Sequence, residues 1–230
     1  MDTIIQFTGK LIDMTYNYVP VYGICVLLLA LIDKLLFYFA GKKYYSTIKL
    51  KEALEPLVEK NNRKYANDPA KKAEELTRLL ASNHYPIFGS ISNLVAEAIL
   101  SVGLIGLFNN PENYLAFAAS PEKMSFLFFD LTKRPVFLFG SAAGTETDII
   151  ISVFLAAITI GAFIIHDKIM ENAAFVDQSF NKIIWVIIAI CFLYFNQAFT
   201  LYWLSIKVMD LIHIVIVRKF YKVTVKANNK

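Results

Sequence analysis

The sequence predicts an all-α, polytopic membrane protein with five transmembrane helices, a cytoplasmic two-helix hairpin and an N-terminal interfacial amphipathic helix. Three observations lead to this prediction. Hydrophobic residues make up 57% of the 230 residues, the apolar residues form runs long enough to cross a bilayer, and one long charged segment separates the first two runs. A chain of this composition is too apolar for an ordinary soluble domain.

Residues 1–18 are predicted to form an amphipathic helix that lies in the membrane interface. Ile4, Ile5, Leu11 and Ile12 fall on one side of this helix, and polar or charged residues surround the other side. The segment lacks a basic start and a cleavage site, so we do not interpret it as a signal peptide.

The apolar runs are long enough for five crossings of the ~30 Å hydrocarbon core at about 1.5 Å per residue. Their approximate bounds are 20–40, 87–108, 148–166, 183–197 and 199–217. The last two come from one run that is too long for a single crossing, and we divide it at a tight turn near Asn196 and Gln197. With the hairpin, the spans form a predicted core over residues 19–217.

The charged segment, residues 42–86, is predicted to form two short antiparallel helices. Leucines recur at helical spacing in both halves of the segment. The break between the halves reads Asn67-Asp68-Pro69, where Asp68 is a good N-cap and Pro69 suits the first helical position. We therefore place the turn of the hairpin at this break.

The distribution of Lys and Arg predicts the orientation in the membrane. If the hairpin, the link after the third span and the basic tail 218–230 share one side, that side carries ten, two and five of these residues, against four on the other. Positive residues accumulate on the cytoplasmic side of membrane proteins. We therefore expect the N-terminus outside and both the hairpin and the C-terminal tail in the cytoplasm.

Several ionisable residues fall inside the predicted spans. They are Asp33, Lys34, Glu97, Lys207, Asp210 and His213. Because a charge at mid-bilayer costs roughly 2.5–3.5 kcal/mol, these side chains require partners or water. Lys34 and Glu97 fall at similar depths on consecutive spans, and Lys207, Asp210 and His213 share one helical face. Two interpretations stay open: a water-containing groove that these residues line, or ion pairs within single helices, such as Lys207 with Asp210.

The sequence contains none of the motifs that would indicate catalysis or a bound cofactor. HExxH, GxSxG, a phosphate-binding glycine loop and a paired Cys/His set do not occur. We therefore predict a protein that is not an enzyme, with no catalytic residue, no metal ligand and no cofactor. Cys25 and Cys191 lie in apolar runs and are interpreted as small buried side chains.

Short sequence segments from about residue 21 to 221 resemble the YidC/Oxa1/Alb3 family of membrane protein insertases. The most specific are EALEP and KYANDP in the hairpin, followed by PIFG at 86–89. LIDKLL at 31–36, FLFFDLTK at 126–133 and LYW at 201–203 are similar to the family's first span, to the segment before its third span and to the start of its fifth. The resemblance implies a multi-pass protein of the bacterial plasma membrane.

The resemblance also implies a membrane protein insertase or chaperone. In this family a positive residue of the first core span lies in a hydrophilic groove, and the matching position here is Lys34. Short polar or acidic client segments would enter this groove while their apolar segments partition into lipid. The implied partners are newly made membrane proteins, the bilayer and, through the hairpin and the basic tail, the ribosome or targeting factors.

Departures from the family pattern suggest a specialised paralogue with few clients or a dedicated membrane partner. Lysine stands at position 34, where arginine is usual, and Asn196-Gln197-Ala198 replaces a Pro-Ala-Gly turn. Two other functions stay open: a non-inserting assembly subunit of one membrane complex, and a small transporter or channel. The absence of internal repeats counts against the transporter.

Overall fold

The computed structural model of the chain describes residues 2–85, 103–118, 124–127, 129–133, 146–171 and 195–220. Helices make up most of these residues, together with one short antiparallel β-hairpin. The predicted spans at 87–108 and 183–197 lie largely outside the described residues, as do Cys191 and the tail after residue 220. The mostly helical fold agrees with the predicted all-α class, and the number of spans stays a prediction.

Helix α1 covers Asp2–Tyr18 and packs along one side of the bundle. It buries Ile5 and Ile12 against the protein, while Phe7 and Met14 on other sides of the helix are exposed. The Asp13 carboxylate accepts a hydrogen bond from the backbone N–H of Ala116, with 3.0 Å between Oδ1 and N. Burial raises the pKa of the Asp13 carboxyl above its ordinary value, and this hydrogen bond lowers it in part.

Helix α2 runs without interruption from Tyr22 to Lys64 and is 43 residues long. At about 1.5 Å per residue this length exceeds what a bilayer requires, so the predicted first span and the first arm of the hairpin are one continuous helix. Its apolar part buries a face at helical spacing against the other helices. The members of this face are Tyr22, Cys25, Val26, Leu29, Ala30 and Asp33. The free thiol of Cys25 is buried, which confirms its interpretation as a buried side chain.

Helix α3, Pro69–Ser82, folds back on the end of α2 and completes the hairpin. Asp68 is its N-cap, and its Oδ1 accepts a hydrogen bond from the Lys71 N–H at 3.1 Å. Pro69 occupies the first turn, where no backbone N–H is needed. The predicted N-cap is therefore confirmed. The side chain of Asn61 also donates to the Lys72 carbonyl at 3.1 Å, which ties the two arms together.

A compact loop region lies at the end of the bundle where α2 begins. Helix α4, described over residues 103–109, leads into a single 3₁₀ turn, Pro111–Asn113. Strands β1, Ser125–Phe126, and β2, Phe129–Asp130, then form an antiparallel hairpin. The sequence analysis did not find these strands, because two-residue strands are too short to detect by alternation.

Helices α5, Glu146–Glu171, and α6, Gln197–Phe220, pack on each other, and α6 also packs on α2. The start of α6 is fixed to the loop region because the Gln197 and Ala198 N–H groups donate to the carbonyls of Lys133 and Leu131, both at 2.9 Å. Asn196 is the N-cap: its Oδ1 accepts from the Phe199 N–H at 3.1 Å. It also donates to the Phe108 carbonyl.

On helix α5 the distribution of large apolar side chains is the reverse of that in a water-soluble bundle. Helix α5 buries small or hydroxyl-bearing residues, namely Ser152, Ala156, Thr159 and Ala162, and exposes large apolar ones, namely Ile150, Val153, Phe154, Ile158, Ile164 and Ile165. Contiguous exposed apolar surface of this kind is typical of contact with lipid, and small residues are typical of helix contacts within membranes.

Among the described residues, one helix segment, Gln197–Val217, is both long and apolar enough to cross a membrane. It has 21 residues. A shorter apolar helix segment covers Ile150–His166.

Candidate functional site

The candidate site is an ionic cluster at the meeting point of α2, α5 and α6. We use this name for Asp33 and Lys34 of α2, His166 of α5, and Tyr202, Lys207 and Asp210 of α6. Asp33, Lys34, Lys207 and Asp210 interrupt the apolar parts of α2 and α6, and His166 ends the apolar segment Ile150–His166 of α5. The cluster therefore places ionisable groups among side chains that otherwise favour a hydrocarbon environment.

Asp210 is the centre of the ionic cluster. Its Oδ1 lies 2.7 Å from the Lys34 Nζ, and its Oδ2 lies 3.3 Å from the Lys207 Nζ. His166 Nε2 lies 3.9 Å from the same Oδ2, a contact that becomes an ion pair only when the imidazole is protonated. One carboxylate therefore contacts side chains from all three helices.

Exposure differs among the charged members of the cluster. The Asp210 side chain is 2% exposed and that of Lys207 is 7% exposed, whereas the Lys34 side chain is 21% exposed. Asp33 is buried as well. Lys34 is thus the charged group through which the cluster reaches the surface of the bundle, and Asp210 lies beneath it.

Asp33 has a separate partner. The Tyr202 hydroxyl donates a hydrogen bond to Asp33 Oδ2 at 2.9 Å, and both residues are buried. A hydrogen bond to a carboxylate stabilises its charged form and is stronger than one between neutral groups. The contact links α2 to α6 a second time, about two helical turns away from Asp210 along α6.

Lys207 is held in an aromatic pocket as well as by Asp210. Its Nζ lies 4.8 Å from the ring centre of Phe163 and 5.5 Å from that of Trp203. A cation over aromatic faces is attracted by the ring quadrupole, more strongly where water is excluded. The Asp210 carboxylate and the two aromatic rings therefore both hold the Lys207 ammonium in the interior of the bundle.

In chemical terms, the ionic cluster can bind and orient charged or polar groups. With His166 neutral, its two lysines and two aspartates carry no net charge. Within the described ranges, no group of three or more His, Cys, Asp and Glu residues is arranged to hold a metal ion. The cluster joins α2, α5 and α6 through ionisable side chains, and Lys34 is its most exposed charged member.

Comparison with known sequences gives the family. The sequence model of the family described as 60Kd inner membrane protein matches residues 14–225, which is most of the chain. The chain belongs to this family. It is the YidC/Oxa1/Alb3 family that the short sequence segments resemble, so the predicted family is confirmed. This is a family of bacterial inner membrane proteins.

Individual relatives of the YidC/Oxa1/Alb3 family are similar at lower coverage. The "Membrane protein insertase YidC" of Syntrophus aciditrophicus is 30% identical over 89 residues, 39% of this chain and 16% of that protein. The protein of the same name from Caldanaerobacter subterraneus subsp. tengcongensis is 26% identical over 157 residues, 68% of this chain and 73% of the relative. The chain spans less than a fifth of the length of the Syntrophus relative and 13% of that from Nitratidesulfovibrio vulgaris strain DP4.

Four of the six predicted groove residues of this YidC/Oxa1/Alb3 chain meet in the ionic cluster: Asp33, Lys34, Lys207 and Asp210. His213 lies one turn beyond Asp210 on α6 and is half-buried. Glu97 lies outside the described residues, so its predicted attraction to Lys34 remains a prediction. Lys34 forms an ion pair with Asp210, and the pair of Lys207 with Asp210 within α6, which was the alternative interpretation, also forms.

Sequence reasoning missed two members of the cluster, His166 and Tyr202. His166 was not among the six predicted site residues, and the structure brings its Nε2 to 3.9 Å from Asp210 Oδ2. A signal was available, because His166 is an ionisable residue at the cytoplasmic end of the predicted third span, and Lys34 lies nearer to the cytoplasmic end of the first span. Tyr202 gave no such signal, since an aromatic residue near a membrane interface is common.

Proposed function

We propose that this chain is a membrane protein insertase or chaperone. It moves short polar segments of client proteins through a hydrophilic intramembrane groove while their apolar segments partition into lipid. The observation that carries the proposal is the ionic cluster: three helices each contribute ionisable side chains to one place inside an apolar layer, and Lys34 reaches its surface. The family membership supports the same activity.

In this mechanism Lys34 attracts an acidic or polar client segment. A charge that enters bare hydrocarbon costs roughly 2.5–3.5 kcal/mol or more, and a groove lined with charged and hydroxyl groups lowers that cost. The client's apolar segment then moves into lipid, where each buried CH₂ contributes about 0.8 kcal/mol. Partition of a span of ordinary length is thus sufficient to drive the transfer without ATP.

The exposed apolar surface beside the cluster supports a route from groove to lipid. Leu31, Leu35 and Leu36 flank Asp33 and Lys34 on α2 and are exposed. A client helix that leaves the groove would contact this surface before it meets acyl chains. In the proposed orientation the hairpin lies in the cytoplasm, where its charged exterior receives newly made membrane proteins, the ribosome or targeting factors.

A second candidate function is a non-inserting subunit that shields a polar helix of one membrane complex. The observation that favours it is the pairing of Lys34 with Asp210, because a lysine already neutralised in this way attracts acidic clients more weakly. The two functions differ in stoichiometry. A subunit co-purifies with one partner in fixed ratio, whereas an insertase releases its clients.

The experiment that tests the proposal is insertion of a single-span client into proteoliposomes that contain the purified chain. Lys34→Ala should lower the yield, and Lys34→Arg, which keeps the charge, should restore most of it. Lys10→Ala on the exposed side of α1 serves as the control for loss of a positive residue. If Lys34→Ala inserts the client as well as the parent does, the groove mechanism is wrong.

A further inference from the structure

The β-hairpin formed by β1 and β2 lies at the level where two helices enter the apolar layer. Phe126 of β1 packs on α2 at Gly23, the second residue of that helix. The carbonyls of Leu131 and Lys133, which follow β2, accept hydrogen bonds from the first two residues of the membrane-spanning segment Gln197–Val217. The β-hairpin is therefore fixed to the beginnings of α2 and α6, about 15 Å along α2 from the ionic cluster.

Leu127 at the tip of the β-hairpin is an exposed apolar residue in a strained conformation. Phe126 pairs with Phe129, so two residues form the turn, and Leu127 is the first of them. Its φ of 56° lies in the left-handed region, which glycine, asparagine and aspartate adopt most readily at this turn position. The Leu127 side chain is 75% exposed. In water, this residue would combine backbone strain with a largely uncovered apolar side chain.

Polarity changes along the β-hairpin from its tip to its base. The tip carries Leu127, whereas the base carries the ion pair of Asp130 with Lys133, whose Oδ2 and Nζ lie 3.7 Å apart. The Asp130 Oδ1 also accepts hydrogen bonds from the N–H and the hydroxyl of Thr132, at 2.9 and 2.7 Å. An apolar tip and a charged base are the arrangement expected of a segment that lies at a membrane surface.

Exposed aromatic and apolar side chains continue on the chain just before Gly23. Tyr18 at the end of α1 is 81% exposed, and Val21, immediately before α2, is exposed as well. Tyrosine is enriched where membrane-spanning helices meet the lipid headgroups. Tyr18, Val21 and Leu127 are therefore three exposed side chains at the end of the bundle where α2 begins, and all three suit a boundary between hydrocarbon and water.

We propose that the tip of the β-hairpin is a membrane anchor, in which Leu127 inserts among the acyl chains just beneath the headgroups of the leaflet around the beginnings of α2 and α6. The occupant is lipid because the helices to which the β-hairpin is fixed enter the apolar layer at this level. Contact with acyl chains removes the Leu127 side chain from water and offsets the strain of its backbone. The anchor is separate from the ionic cluster and does not depend on the proposed insertase activity.

The test is electron paramagnetic resonance of a nitroxide at position 127, in nanodiscs of phosphatidylethanolamine and phosphatidylglycerol. Leu127→Cys is labelled in a chain in which Cys25→Ala and Cys191→Ala remove the native thiols. The two collision partners are oxygen, which concentrates in hydrocarbon, and a nickel chelate, which stays in water. Labels at Ile158, exposed on α5, and at Glu59, exposed on the helical hairpin, are the references for lipid and for water.

We expect the label at position 127 to collide more with oxygen than with the nickel chelate, as the label at Ile158 does. Preference for the chelate, as at Glu59, would place the tip in water and overturn the proposal. Low collision with both reagents would show that protein covers the tip, and spectral broadening between labels would show that a second copy does. Either of these results would overturn it as well.

Leu127→Asn and Leu127→Met provide a second measurement that requires no label. Asparagine adopts a positive φ more readily than leucine, so it should stabilise a turn that lies in water. Methionine keeps an apolar side chain and gives no such relief. With Leu127 in lipid, Leu127→Asn should lower the melting temperature in the same nanodiscs by about 2–4 °C, whereas Leu127→Met should stay close to the parent. A Leu127→Asn variant with a melting temperature equal to or above the parent's would contradict the anchor.

Discussion

The Lys34 ammonium and the Asp210 carboxylate form an ion pair at 2.7 Å between α2 and α6, inside the apolar part of both helices. The two partners are not equivalent. Asp210 is almost fully buried and also contacts Lys207, whereas Lys34 is partly exposed. Removal of one partner therefore has a different consequence from removal of the other.

Asp210→Ala should destabilise the protein more than Lys34→Met does. Without Asp210, Lys34 and Lys207 lose the carboxylate that they share, and the loss of one partner of a buried pair costs about 3–5 kcal/mol. Without Lys34, the Asp210 carboxylate keeps Lys207 at 3.3 Å. The measurement is the melting temperature in detergent micelles.

Glu59→Ala is the control for this comparison, because Glu59 forms an exposed ion pair with Arg63 on the hairpin. An exposed pair contributes at most about 1 kcal/mol, so the melting temperature of this variant should stay near that of the parent. Equal melting temperatures for Asp210→Ala and Lys34→Met would contradict the asymmetry.

Tyr202→Phe should lower the melting temperature by removing the hydrogen bond to Asp33. The ring stays in place, but the buried carboxylate loses a donor at 2.9 Å, and a hydrogen bond to a charged group contributes roughly 1.5–3 kcal/mol. Tyr18→Phe removes a hydroxyl from an exposed ring and serves as the control. If the two variants have the same melting temperature, the hydrogen bond from Tyr202 to Asp33 does not contribute to stability.

The sequence was sufficient to find the charged members of the cluster and to suggest the pair of Lys207 with Asp210 within α6, but not to pair residues of different helices. Asp33, Lys34, Lys207 and Asp210 are conspicuous because each interrupts an apolar run, where a charge is costly. Which helices lie side by side depends on packing between distant segments, and periodicity along one helix contains no such information. Asp33 and Tyr202, for example, are 169 positions apart.

Local rules performed better where the structure depends on neighbouring residues. The N-cap at Asp68 and the proline after it were predicted from three consecutive residues and are confirmed. The continuity of α2 from span to hairpin was not foreseen, because the change from apolar to charged residues at about residue 42 is a change of environment and not of backbone conformation.

Gly23→Ala should destabilise the docking of the β-hairpin against α2. A Cβ at position 23 would overlap the ring of Phe126, since it would lie much closer to the ring than van der Waals contact allows. Overpacking of this kind costs roughly 1–3 kcal/mol, and a lower melting temperature is expected.

Gly161→Ala on α5 is the matched control for that prediction, because a Cβ there meets no atom within 4 Å. It should leave the melting temperature unchanged or raise it slightly, as alanine is the better helix former. The double variant Gly23→Ala/Phe126→Ala should recover part of the loss. Equal effects of Gly23→Ala and Gly161→Ala would mean that Phe126 does not pack on α2 in this way.

Asp68→Ala should loosen the second arm of the hairpin without affecting the bundle. The Asp68 side chain accepts from the Lys71 N–H at 3.1 Å, and loss of an N-cap costs about 1 kcal/mol. Amide hydrogen exchange in α3 should therefore accelerate by about fivefold, which corresponds to that cost.

Asp68→Asn keeps an acceptor oxygen, so its α3 amides should exchange at a rate close to the parent's. This variant separates the effect of the cap from that of the exposed ion pair with Lys71. Exchange in α6 is the internal reference, because the cap lies far from it in the fold and should not change its rate. An Asp68→Ala variant whose α3 amides exchange as slowly as those of the parent would show that packing of α3 on α2, and not the cap, holds the arm in place.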